Sequence, residues 1–80
     1  MTVHRENDPV RLREPFAADV VGEGRSVVIP AGAVGAVVLV HGNPSQPMAY
    51  EVEFYIQDQG CYALAVMEAG CPACAPLPGI

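Results

Sequence analysis

Tyr50-Glu51-Val52-Glu53-Phe54-Tyr55-Ile56-Gln57-Asp58-Gln59-Gly60-Cys61-Tyr62-Ala63-Leu64-Ala65-Val66-Met67 decides the fold. Its first seven residues alternate, with Tyr50, Val52, Phe54 and Ile56 on one face and Glu51, Glu53 and Tyr55 on the other. Side chains of a strand point alternately to opposite faces, so this is a half-buried strand. Gln57 to Gly60 forms a short hairpin connection, in which Gly60 can take the positive φ of a bulged turn. The chain returns through Cys61 to Met67. Ala, Leu, Met and Glu favour a helix over Ala63 to Ala69, but seven residues between two glycines are too few for one to stand alone. The return is therefore a second strand.

Working back, Pro30-Ala31-Gly32 reads as a turn with Pro30 second and Gly32 fourth. It opens the most apolar strand, Ala33 to His41, in which Gly35 suggests a bulge, a bend or a close backbone approach. Val10 to Glu14 alternates and is stopped by Pro15, which predicts a strand. Phe16 to Ser26, with Gly22 and Gly24, reads as a long ordered loop, and Val27 to Ile29 as a short strand or the loop's returning arm. Gly42 to Ala49, with Asn43-Pro44 and Pro47, reads as a second loop. Beyond Gly70, three prolines leave room for a turn and one edge strand near Ala73 to Leu77.

Short strands, turn signals every 8–12 residues and no long amphipathic helix predict an all-β chain. The expected architecture is a small antiparallel barrel of about five short strands with at most a turn or two of helix. Residues 1–8 are expected to be a flexible polar lead, 9–75 the barrel and 76–80 a tail.

Ile29-Pro30-Ala31-Gly32-Ala33-Val34-Gly35-Ala36-Val37-Val38-Leu39-Val40, followed by Ala49-Tyr50-Glu51-Val52-Glu53-Phe54, resembles a family of small uncharacterised bacterial proteins with an SH3-like barrel. The shared pattern is a glycine, two residues, Gly-x-Val-Val, then Tyr-x-Val-Glu-Phe and a Gly-tipped hairpin. A similar barrel closes the β subunit of nitrile hydratase, a likeness of fold alone. The resemblance covers about residues 10 to 70 and implies a fold, with no catalytic residue. The Phe16–Ser26 and Gly42–Ala49 segments and the cysteine-bearing tail depart from the pattern.

Eighty residues make one domain, which buries only about 60–65% of its unfolded surface. The 51% apolar share excludes disorder, and no apolar run approaches the roughly 20 residues of a membrane helix. The start, Met1 to Asp8, is polar with no apolar stretch behind it, so no signal peptide is expected and a cytoplasmic setting is. Nine acids face four arginines and no lysine, giving a net charge of −5. Arg5, Arg11, Arg13 and Arg25 all lie in the first third, whereas Glu51, Glu53, Asp58 and Glu68 stand alone in the second half. That half would repel a phosphate backbone and an anionic membrane, so neither partner is expected. Arg11 and Arg13 read as solvated charges on one strand face.

Cys71-Pro72-Ala73-Cys74 is the one recognisable motif. It could carry a disulfide, a redox pair, or half of a metal site. Cys61 and His41 or His4 could complete a zinc set with Cys71 and Cys74, but a single knuckle is a weak signature. The expectation is therefore no metal or cofactor, with zinc on Cys61, Cys71, Cys74 and His41 as the alternative. Two serines, one threonine and two histidines offer no nucleophile with an orienting partner, and Glu51 and Glu53 read as solvated strand charges. No enzyme is expected.

The apolar surplus is the best functional clue. Cys61, Ala63, Ala65 and Met67 form one apolar face of the return strand, and Tyr62, Leu64 and Val66 form another. The Ala33–Val40 strand is likewise apolar on both faces. Unless curvature and the Phe16–Ser26 loop cover them, an apolar patch is left, and such patches mark protein interfaces. Tyr55, Tyr62, Leu64 and Val66 are the candidates for its centre. The expected function is a protein-interaction or self-associating module. The alternatives are a metal- or thiol-dependent CxxC protein, and an accessory or immunity-like partner of a genetically linked enzyme.

Overall fold

The computed structural model describes residues 7–43, 45–71 and 74–76. Its strands are β1 (Pro9–Leu12), β2 (Phe16–Val20), β3 (Ser26–Ile29), β4 (Val34–Asn43), β5 (Gln46–Ile56), β6 (Cys61–Glu68) and β7 (Cys74–Pro76). They form one sheet in the order β3-β2-β6-β5-β4-β1-β7, and every neighbouring pair is antiparallel. There is no helix among the described residues, so none is long and apolar enough to cross a membrane.

The sheet is rolled. Laid flat, β1 and β3 would lie about 24 Å apart, five steps of roughly 4.8 Å. Yet Val10 and Leu12 of β1 share one buried cluster with Ala18 of β2 and Ile29 of β3, around Val37, Tyr50, Val52, Phe54, Ala63, Ala65 and Met67. The chain is thus the small antiparallel barrel expected, left open because β3 and β7 do not pair among the described residues.

The central hairpin follows the alternation of its sequence. Tyr50, Val52 and Phe54 are buried opposite Met67, Ala65 and Ala63, and Gly60 turns at φ +63°. Three departures from the sequence reading have physical causes. First, Phe16–Ser26 is no loop: β2 and the start of β3 occupy it, with Gly22 and Gly24 at positive φ in the turn. Ala17, Ala18 and Asp19 alternate correctly but are too small or polar to contrast, so the strand count rises to seven.

Second, Gly42–Ala49 is the tip of the β4–β5 hairpin, with Gly42 opposite Pro47 and Asn43 opposite Gln46. Proline is tolerated because β6 has already ended, its pairing with β5 starting at Ala49, so Pro47 has a partner on one side only. Gly35 is the close backbone approach among its three expected readings, packed against Glu53 and Phe54. The register shifts of β4 against β5 lie further on, between Val37 and Leu39 and between His41 and Gly42. The first exposes both Val38 and Leu39 and turns Val40 partly inward. Third, Ala33 donates to the Pro30 carbonyl and Gly32 sits at φ +89°. Pro30 is therefore first in its turn and Gly32 third, where a positive φ is required.

At the ends, β1 stops at Leu12, and Asn7 and Asp8 already exchange hydrogen bonds with Val37. β7 reaches Pro76 as the edge strand expected there; residues 1–6 and 77–80 lie outside the described residues.

Candidate functional site

Parity places the site. With Tyr50, Val52, Phe54, Ala63, Ala65 and Met67 committed to the core, Glu51, Glu53, Tyr55, Tyr62, Leu64 and Val66 share the outer face. Register then arranges them in rows across the sheet. Tyr55 stands opposite Tyr62 with ring centroids 5.0 Å apart and planes tilted by 57°. The next row runs Ala36, Glu53, Leu64, Asp19, Ser26 across five strands. A third runs Leu39, Glu51, Val66.

Tyr55 is 53% exposed, Tyr62 49% and Val66 61%, while Leu64 is half-buried between them. The β2–β3 hairpin does not cover this face: it continues the sheet sideways from β6 and adds exposed Val21 and Val28 to it.

The acids of the face are unequal. Ser26 donates to Asp19 at 2.8 Å, and His41 Nε2 lies 2.7 Å from Glu51 Oε2. Glu53, half-buried between Ala36 and Leu64, has no ion-pair or hydrogen-bond partner among the described residues. Sequence reasoning found the face but took Glu53 as solvated and missed the His41 and Asp19 contacts. Both contacts depend on cross-strand register, which one strand's pattern does not contain.

On the opposite flank, Arg11 is exposed on β1 between Val34 and Ala75, with exposed Arg13 just beyond. Neither has an ion-pair partner among the described residues. Arg25 is spoken for: it donates to Glu23 at 2.9 Å and to Gln59 across the neighbouring turn. The Glu23 hydrogen bond raises its pKa above the ordinary arginine value, against an opposing effect of desolvation.

The cysteines are not gathered as a metal set requires. Cys61 begins β6 and Cys71 follows its end, and eight strand residues span roughly 27 Å. Among the described residues neither thiol has a disulfide partner, and Cys71 packs against the core. His41 is engaged with Glu51, and Cys74 lies in β7 opposite Leu12. Pro72 and Ala73, which join the two halves of the motif, and His4 lie outside the described residues. Among the described residues no group of three His, Cys, Asp or Glu side chains is placed to hold a metal. A zinc site would have to be built without Cys61 or without Cys71.

No family model, curated protein or solved structure matches this chain.

Proposed function

We propose that the chain is a protein-contact module with no chemistry of its own, and that its partner is another copy joined head to tail. The outer face of β5 and β6 on one copy receives β1 of the next, with Arg11 and Arg13 reaching Glu53. Glu53 carries the reading. A half-buried carboxylate flanked by apolar side chains costs free energy unless a cation meets it. Among the described residues the unpaired arginines, Arg11 and Arg13, lie on and just beyond β1, two strands away from Glu53 across β4, and neither pairs with it.

A face-to-face pair is disfavoured, because it would oppose Asp19, Glu51 and Glu53 of two copies. Head-to-tail contacts are heterologous and close into rings or extend as chains. The apolar part of the contact is Tyr55, Tyr62, Leu64 and Val66, with the aromatic pair at its centre.

Two half-blocked proteins test this. Arg11→Ser with Arg13→Ser removes the donor flank; Tyr62→Ser with Val66→Ser removes the receiving face. Each should run as a monomer alone, and an equimolar mixture should give a single 1:1 dimer. If either variant still associates alone, or the mixture stays monomeric, the head-to-tail reading fails.

A further inference from the structure

Where the barrel fails to close, a cleft of about 640 Å³ opens between β3, the start of β4 and the end of β5. That volume falls within the roughly 300–1,000 Å³ of ligand pockets. Its inner wall is Ile29, Phe54 and Ile56, and its rim is Gln57, Asp58 and Gln59. Among the described residues Asp58 is the only charged side chain lining it.

One wall is an unused ladder. Val20 donates to the Arg25 carbonyl and Val21 to that of Tyr62, so successive residues of β2 turn alternately to β3 and to β6. With Ala18 opposite Val27 and Phe16 opposite Ile29, the N–H and C=O groups of Val27 and Ile29 point toward β2. Those of Ser26 and Val28 point the other way, along the free edge. The edge Ser26–Ile29 has no charge, no proline and no bulge, the devices that normally protect an exposed strand.

We infer that this cleft binds an extended peptide segment of another polypeptide, added as a strand beside β3. Ser26 and Val28 supply its main-chain hydrogen bonds, alternate apolar side chains enter toward Phe54 and Ile56, and a basic residue meets Asp58. The free ladder selects an extended backbone, and the lone carboxylate selects the charge. Within the described residues the chain enters β1 beside Val37 of β4 and follows β7 to Pro76, opposite Val10. The cleft is separate from the apolar face of β6, and Tyr55 borders both.

The test is an NMR titration of the native protein with the synthetic peptide acetyl-Lys-Val-Thr-Val-Thr-Lys-amide. Amides of Ser26, Val28 and Ile56 should shift saturably below about 1 mM peptide. Methylating the peptide nitrogens that face β3 should weaken binding about tenfold, and methylating the alternate nitrogens should leave it unchanged. Val28→Pro, which removes a donor that β2 does not use, should abolish binding with the remaining spectrum retained. Equal binding by both methylated peptides, shifts confined to Tyr62 and Val66, or no saturable shift overturns the inference. The Tyr62→Ser/Val66→Ser protein should bind the peptide normally, so this result stands apart from self-association.

Discussion

Substituting Gly35 by alanine probes the tightest contact in the barrel. An alanine Cβ there would lie 2.6 Å from the Glu53 carbonyl oxygen and 2.8 Å from Cδ1 and Cε1 of Phe54. Neither obstacle moves easily: the first is backbone in the central strand, and Phe54 is 1% exposed. Overpacking of this kind costs typically about 1–3 kcal/mol. The smaller conformational entropy of unfolded alanine returns about 0.4–1 kcal/mol. A net loss of about 1–2 kcal/mol is expected from a total of about 4–12 kcal/mol for 80 residues. In a domain this size that lowers the melting temperature by roughly 4–16 °C. Urea unfolding followed by far-ultraviolet circular dichroism should show an earlier midpoint with an unchanged slope. Phe54→Leu opens space beside position 35, so the double variant should lose at least about 0.5 kcal/mol less than the sum of the singles. An alanine variant as stable as the parent would show that Gly35 does not sit where the fold places it.

Val66→Glu should leave stability within about 0.5 kcal/mol, because the side chain is on the solvent face, while weakening association seen by analytical ultracentrifugation. Gly42→Ala should cost about 1–2 kcal/mol in a thermal melt, since φ is +90° there, and trimming Met48 to alanine should not restore it. Met67→Ala removes a fully buried side chain and should cost about 2–5 kcal/mol in chemical denaturation. Alkylation monitored by mass spectrometry should modify Cys61 without prior chelation; protection that disappears on adding a chelator would favour the zinc alternative.

The parts legible in the sequence are those where parity meets large side chains. Tyr50 to Met67 alternates with enough contrast to fix both strands, their turn and the outer set Tyr55, Tyr62, Leu64 and Val66. β2 was hidden because Ala17, Ala18 and Asp19 distinguish inside from outside only weakly. The β4–β5 tip was hidden because Gly42, Pro44 and Pro47 carry the chemistry of a loop, while tolerance of Pro47 depends on where β6 ends. In Val37-Val38-Leu39-Val40 an unbroken apolar run cannot reveal a bulge. Of the site, membership of the face follows from one strand at a time, but the isolation of Glu53 and the contacts of His41 and Asp19 follow only from register between strands. The cleft beside β3 depends on the sheet's failure to close, which no local pattern records.

Light scattering of the native protein across concentration and salt tests self-association most directly. The proposal predicts a mass above the 8.4 kDa of one chain, rising with concentration and falling as salt goes from about 0.1 M to about 1 M and screens the Arg11, Arg13 and Glu53 charges. A mass of 8.4 kDa at every concentration and salt would contradict it.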